Sequence, residues 1–303
     1  MVNYRICGLQ VSSEMELPGA ILSLSIAAKT DILIRRASVP AGLTAATATG
    51  PNWEMTSDSF LLRVPRLVRL LMTAGRDIAV ELEPGALERN AAGFVLGTGF
   101  GILLHQRGAF VLHGAAAAKA GRTIAICGAS GAGKSTLAAA LCRDGCSFAT
   151  DDLCVIALDE HKYPVVLPDG RQLKLWKESI DKLDLAERRG EAVRESFEKY
   201  YIEPFDMVTE PPRLSAIYLL CEARPPLQEG IESLPLPDAM RALDYEAYRP
   251  GLRAKIGQKS EMFAHAAAIF GHAKVFRFAR PRGFEHMAET VATVRAHWDS
   301  LDG

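Results

Sequence analysis

Nine consecutive residues, Gly128-Ala-Ser-Gly-Ala-Gly-Lys-Ser-Thr136, have the types and spacing to hold a phosphate chain. They fit the Walker A pattern G-x-x-x-x-G-K-[ST]. An apolar β-type run, Thr123 to Cys127, precedes them, and a helix-forming run, Leu137 to Leu141, follows. In a strand–loop–helix setting the glycines let successive amides curl around phosphate oxygens, and the helix N-terminus adds partial positive charge. The expected nucleotide-binding set is Gly128, Ser130, Gly131, Ala132, Gly133, Lys134, Ser135 and Thr136. Lys134 would reach the β- and γ-phosphates of ATP, and the Ser135 hydroxyl would ligate Mg²⁺.

Acids and bases flank the loop. Downstream, Phe148-Ala-Thr-Asp151-Asp152 puts two carboxylates at the end of a short strand. One such acid can hold Mg²⁺ and the other can accept a proton from an attacking hydroxyl, although an acidic turn that solvates a strand end reads the same way. Upstream, His113 ends a strand expected to lie beside the loop strand; taken alone it is a structural histidine. Lys174 and Lys177 flank an exposed-looking Trp176, and Arg249, Arg253 and Lys255 form a basic loop before a helix. Either cluster could meet a phosphate or a peptide carboxylate, with solvated surface charge as the alternative. The aromatic run Phe197, Tyr200 and Tyr201 could line a peptide groove or pack a helix.

Absences narrow the class. The only asparagines are Asn3, Asn52 and Asn90, all before the loop. There is therefore no N-K-x-D guanine-reading motif and no catalytic-loop Asn of the eukaryotic protein-kinase type. No L-S-G-G-Q stretch marks a transporter ATPase. A net charge of −1 argues against a nucleic-acid partner. The seven histidines lack zinc-type spacing, and the six cysteines contain no C-x-x-C pair, as expected for reduced thiols in a cytoplasmic protein. The longest uncharged apolar run, Ala91 to Leu104, is fourteen residues, too short to span a bilayer, so no membrane partner is expected.

Together these residues resemble the HPr kinase/phosphorylase family and its wider group of HPr-kinase-related proteins, over roughly residues 108–303. That family carries a His-Gly before the loop, a G-x-S-G-x-G-K-S loop and an Asp-Asp pair after it. Here His113 precedes Lys134 by 21 residues and Asp151 follows it by 17. The resemblance implies a serine kinase using ATP and Mg²⁺. Asp151 would be the base, Asp152 would hold the metal with Ser135, and His113 would join Lys134 in the catalytic set. Two departures separate the chain from the bifunctional HPr enzymes. Thr136 stands where Glu usually follows the loop serine, and the R-G-L-G signature linked to dephosphorylation is replaced by Arg213-Leu-Ser-Ala. The amino-terminal half looks instead like that of shorter relatives found in gene clusters for ribosomally made peptides, lasso peptides among them. The expected substrate is thus a peptide or small protein presenting a serine, at or near the C-terminus of a precursor. HPr, a small-molecule acceptor and a non-catalytic nucleotide sensor are the alternatives.

The elements that must position these residues can be read from the same sequence. At 303 residues and 49% hydrophobic, the chain suits one large or two modest domains. The expected fold is α/β. A β-rich N-terminal domain with a bridging helix covers residues 1–107, and a P-loop domain with a mixed sheet covers residues 108–303. Strands are expected at Tyr4–Val11, Asp31–Arg36, Phe60–Val64, Val68–Thr73 and Ile78–Leu82, the last two joined by a turn at Gly75. A helix over Ala86–His105 follows. Further on, Phe110–Ala116, Thr123–Cys127, Phe148–Leu158, Tyr163–Leu167, Leu214–Cys221 and Val275–Ala279 read as strands. Lys134–Arg143, Leu175–Ala186, Glu191–Tyr201, Pro237–Tyr248, Lys259–Phe270 and Phe284–Trp298 read as helices. Leu214–Cys221, strongly apolar, is expected at the sheet centre. A homo-oligomer is left open.

Overall fold

Alternating and continuous apolar runs at the two ends of the chain fold into two large sheets. A computed structural model describes residues 1–23, 29–194, 197–203, 205–256 and 259–302. The fold is mixed α/β. The first sheet is built from β1 (Val2–Ile6), β2 (Leu9–Ser13), β3 (Ile32–Arg36), β4 (Ala48–Gly50), β5 (Trp53–Met55), β6 (Ser59–Val64), β7 (Val68–Thr73) and β8 (Asp77–Leu82). Its order is β1-β2-β3-β8-β7-β6-β5-β4. β3 lies parallel to both β2 and β8, and the remaining pairs are antiparallel. On β7, Val68, Leu70 and Met72 alternate inward, the period-two pattern of a sheet with one covered face.

That face packs on a helix made of α1 (Glu88–Phe94), a π-helical turn (Val95–Gly99) and α2 (Phe100–Gln106). It coincides with the expected helix to within two residues. Its glycines have a packing reason: the Tyr248 ring fills the space a Cβ on Gly101 would take.

The second sheet contains β9 (Phe110–Leu112), β10 (Gly114–Lys119), β11 (Arg122–Gly128), β12 (Ser147–Thr150), β13 (Cys154–Leu158) and β14 (Pro164–Val166). With them are β18 (Arg213–Glu222), β19 (Gly230–Ser233) and β20 (Lys274–Arg280). Its order is β12-β10-β11-β18-β14-β13-β9, with β20 beside β18 and β19 beside β20. β18 runs parallel to β11 and to β20, so the C-terminal ends of all three reach the same edge. One face is covered by α3 (Lys134–Arg143) and α8 (Met287–Asp299), the other by α5 (Leu236–Tyr245) and α7 (Lys259–His272). Short α4 (Lys177–Lys182) and α6 (Pro250–Ile256) flank it, as does a small antiparallel sheet in which β17 (Lys199–Ile202) lies between β15 (Lys174–Trp176) and β16 (Arg189–Ala192).

Several elements differ from expectation. Tyr4–Val11 is a hairpin rather than one strand, turning at Cys7 and Gly8, both left-handed. Phe110–Ala116 breaks at His113, because β9 pairs with β13 while β10 pairs with β11; the strand that ends at His113 therefore does not lie beside the loop strand. Phe148–Leu158 breaks at the acid pair. Leu175–Ala186 is helical only over Lys177–Lys182, and Glu191–Tyr201 is not a helix but contributes to β16 and β17, residues 195 and 196 lying outside the described residues. The Arg249–Lys255 stretch is not a loop: helix α6 starts at Pro250, where proline's fixed φ suits a first turn. Among the described residues, no helix is long and apolar enough to cross a membrane.

His105 on α2 yields a test of this packing. The ring is buried, and its Nε2–H donates to the Tyr248 carbonyl at 2.7 Å. Burial pulls its pKa from 6.5 down to about 4. The folded value lies below the unfolded one, so the neutral ring contributes fully above pH 6.5, and the contribution is lost as pH falls from there towards 4. Between pH 7 and 5 the protein should lose roughly 2 kcal/mol from this ring alone. His105→Gln, which cannot take up the proton, should shrink the pH dependence of the urea midpoint by that amount. An unchanged dependence would contradict the assignment.

Candidate active site

β11 ends in the glycine loop, and the loop ends on the N-terminus of α3. Two glycines there are required, Gly128 by close approach of a neighbouring main chain and Gly133 by its left-handed φ. A Cβ on Gly128 would stand 2.7 Å from the Leu220 carbonyl of β18, and one on Gly133 (φ 90°) 2.7 Å from Arg280 Nη2. The Lys134 ammonium donates to the Gly128 carbonyl at 2.7 Å and to that of Ala129 at 3.2 Å, so the motif lysine lies along its own loop. Ser130 through Thr136 line a cleft of about 450 Å³. Thr136 shares a hydrogen bond with Ser179 at 3.1 Å. Gly128, set deeper, donates its amide to the Glu246 carboxylate at 2.9 Å.

The acid pair sits in the turn after β12, beside the start of α3. The Ser135 hydroxyl donates to Asp151 Oδ1 at 2.7 Å, and Asp151 Oδ2 is buried with no hydrogen-bond partner. Asp152, held at φ +69°, turns the other way and accepts from Lys174 Nζ at 3.1 Å. A non-glycine residue in the left-handed region stores strain, which persists only where surroundings over-determine it. The over-determination comes from Asp169 and Arg171. Asp169 Oδ2 accepts the Asp151 N–H and the Thr150 hydroxyl, each at 3.2 Å, while Arg171 donates to the Asp151 carbonyl at 3.2 Å.

These environments drive the two carboxyls apart. Burial, then the neighbouring Asp152 charge, raises Asp151 from 3.8 to about 6. Burial also opposes ionisation of Asp152, but Lys174, Lys199 and Arg171 together outweigh it and hold that carboxyl well below the usual range. His113 lines the same cleft. Its Nδ1–H donates to the Asp152 carbonyl at 3.3 Å, and burial, helped by Lys134, keeps the ring neutral by lowering its pKa.

The structure thus brings together the glycine loop, Lys134, Ser135, Thr136, His113, Asp151, Asp152 and Lys174. By contact, however, the partner of Ser135 is Asp151 rather than Asp152, and it is Asp152 that lines the cleft. Arg249, Arg253 and Lys255 do not line it. Arg249 donates to Thr98 Oγ1 at 2.7 Å, Arg253 pairs with Asp244, and Lys255 is exposed on α6. Sequence reasoning missed Lys199, Arg280, Arg282, Phe284 and Glu246, as well as the Asp169–Arg171 pair behind the acids. One signal for Arg280 was present: Arg280-Pro-Arg-Gly283 closes a strand that pairs in parallel with the central one.

No family model matches the chain, and no curated protein matches it. Among solved structures, the chain is similar to the Hpr(Ser) kinase/phosphatase from Coxiella burnetii. The identity is 14% and the TM-score 0.35, over 64% of this chain and 99% of that one.

The Asp169–Arg171 pair behind the acids is open to a double-mutant cycle. Removing one partner leaves a buried charge unpaired, which typically costs about 3–5 kcal/mol. Arg171→Met and Asp169→Asn should each destabilise the protein on that scale. The double variant should lose at least ~2 kcal/mol less than the sum of the two single losses. Strict additivity in urea unfolding would show that the pair is not coupled.

Proposed function

We propose that the protein is a phosphotransferase that moves the γ-phosphoryl group of ATP onto a serine hydroxyl of a peptide or small protein. One observation carries this reading: behind a glycine loop, two adjacent carboxylates occupy opposite environments. One is buried against the Ser135 hydroxyl, and the other faces the cleft beside a lysine. A site that only senses a nucleotide has no use for the second acid.

The donor set suits Mg²⁺. Ser135 Oγ and the unpartnered Asp151 Oδ2 are hard oxygen ligands. Among the described residues, no three His, Cys, Asp or Glu side chains converge to hold a metal by themselves. An ion here would therefore draw on phosphate and water for the rest of its shell, as Mg²⁺ usually does. Bound there, it would offset charge on the β- and γ-phosphate oxygens.

The contacts support an exchange of the roles that the family resemblance implies, with Asp151 beside Ser135 on the cation side and Asp152 towards the acceptor. Asp152 orients the incoming hydroxyl and takes its proton as the new oxygen–phosphorus bond forms and the bond to ADP breaks. Lys174 and Lys199 hold Asp152 ionised and add positive charge where phosphoryl oxygens pass. Positioning supplies most of the rate in this chemistry, so a weakly basic carboxylate suffices. At the cleft mouth Trp176 is 52% exposed and Phe197 46%, their rings edge to face at 6.3 Å. Such a ledge suits a peptide main chain better than a small metabolite; that the peptide is a ribosomally made precursor with a serine near its C-terminus rests on the sequence resemblance.

The test is mass spectrometry of serine-ending precursor peptides, with HPr in parallel, after incubation with ATP and Mg²⁺. Phosphate on the peptide supports the reading, transfer to HPr alone moves the acceptor to that carrier, and silence on both sinks it. Lys134→Ala should abolish nucleotide binding. Asp152→Asn should leave the Kd for ADP within about threefold while lowering kcat by roughly 10²–10⁴. If Asp151→Asn alone spares ADP binding and abolishes transfer, the original division of roles between the two acids is correct.

A further inference from the structure

Five cations border the cleft, and two of them pair with a carboxylate. Lys174 pairs with Asp152 at 3.1 Å, Arg282 pairs with Glu222 at 2.9 Å, Lys199 stands 5.9 Å from the Trp176 ring centroid, and Lys134 donates to two loop carbonyls. Arg280 differs. It is only 7% exposed, yet among the described residues no carboxylate pairs with it. Nη2 donates to the Ala132 carbonyl at 2.8 Å, Nη1 donates weakly to that of Pro281 at 3.3 Å, and Nε is buried without a partner. A guanidinium offers five N–H donors, so much of its capacity is unused. A buried charge without a counter-charge is costly, and the cost is tolerated where a ligand supplies the anion.

The fold places Arg280 beside the glycine loop. Leu220 of β18 is level both with Gly128 at the end of β11 and with Phe278 on β20. Arg280 therefore leaves its strand at the edge where the glycine loop begins. The Ala223 amide, which donates to the Arg280 carbonyl at 2.9 Å, fixes its main chain. Its Nη2 lies 2.7 Å from where a Cβ on Gly133 would stand.

We propose that Arg280 is a phosphate-contacting catalytic residue, an arginine from the last strand that binds oxygens of the nucleotide's phosphate chain at the glycine loop. This rests on the phosphotransferase reading and adds a residue to it. As the bond between the γ-phosphorus and the bridging oxygen breaks, the electron pair stays on ADP. The acceptor oxygen bonds phosphorus and its proton passes to Asp152. Arg280 offsets the negative charge gathering on the ADP oxygens, where a fork of N–H donors does more than a point charge.

The experiment is calorimetric titration of the whole chain with MgADP and with inorganic pyrophosphate, alongside the rate of MgATP hydrolysis to free phosphate. Wild type, Arg280→Ala, Arg280→Lys and Lys134→Ala are compared, with melting curves to confirm folding. We expect Arg280→Ala to weaken pyrophosphate binding at least tenfold and to slow hydrolysis roughly 100-fold. Arg280→Lys, which keeps charge and bulk but not the fork, should recover only part of both, and added guanidinium should partly restore hydrolysis by the alanine variant. If wild type binds MgADP and Arg280→Ala binds pyrophosphate and hydrolyses within about threefold of it, the inference is wrong and the phosphotransferase reading stands. If wild type binds neither MgADP nor pyrophosphate, or binds both as well after Lys134→Ala, that reading fails and the inference goes with it.

Discussion

The Asp169–Arg171 ion pair is the interaction on which the arrangement of the site depends. Both side chains are almost fully buried, and removing two charges from water costs several kcal/mol each before any return. The cost is offset by hydrogen bonds from four of the five guanidinium N–H groups. Arg171 donates to Asp169 through Nε and Nη2, to the Leu96 carbonyl of the π-helical turn at 2.9 Å, and to the Asp151 carbonyl. Asp169 answers with bonds to Thr150 and the Asp151 amide, while its own carbonyl accepts from the Cys7 amide at 3.0 Å. Three separate pieces of chain thus meet at one pair: the first hairpin, the helix on the first sheet, and the acid turn of the second. A hydrophobic replacement could match the stability, but it could not dictate the direction of the Asp151 main chain.

Because the main chain is held, the two neighbouring carboxylates cannot share an environment. Asp151 is held away from solvent beside the Asp152 charge, which favours its neutral form although Ser135 donates to it; Asp152, forced to a positive φ, swings among cations, which favours its charged form. Divergence of two adjacent acids is the pattern by which sites assign a binding role and a proton-handling role to the same residue type. Here it arises from backbone geometry first and from charge second.

How much was legible follows from the range of each signal. The glycine loop, α3 and the hairpin between β7 and β8 were readable because turn chemistry and helix propensity act within a few residues. The central place of β18 was readable from its unbroken apolar run. The break at His113 was not, because the strand changes neighbours there and nothing in Phe110–Ala116 says which partner each half will find. Glu191–Tyr201 has helix-forming residues and apolar spacing, yet pairing of β17 with β15 overrides that preference. That pairing also carries Lys199 to the cleft, so the same tertiary contact hid both an element and a site residue. Arg249 and Arg253 failed as site candidates for a different reason: Arg249 reaches across to Thr98 of the π-helical turn and Arg253 pairs with Asp244, so each is engaged away from the cleft.

A cleft at the C-terminal edge of parallel strands is the expected position for a ligand in an α/β sheet, since loops there leave the sheet together and helix N-termini face them. In this chain the edge is fastened from the far side as well. Residues after α5 carry three bonds in a row: Glu246 takes the Gly128 amide through its carboxylate and the His113 amide, at 2.7 Å, through its carbonyl, and the Tyr248 carbonyl accepts from His105 of α2. The glycine loop, the cleft histidine and the helix that supports the first sheet are therefore linked through one short segment. The N-terminal sheet carries none of the candidate site residues, but its first hairpin bonds Asp169 through the Cys7 amide, and the helix that covers it meets Arg171 through Leu96 and the Tyr248 carbonyl through His105. A support that touches both the acid turn and the segment behind the glycine loop can set the distance between them, on which the proposed phosphoryl transfer would depend.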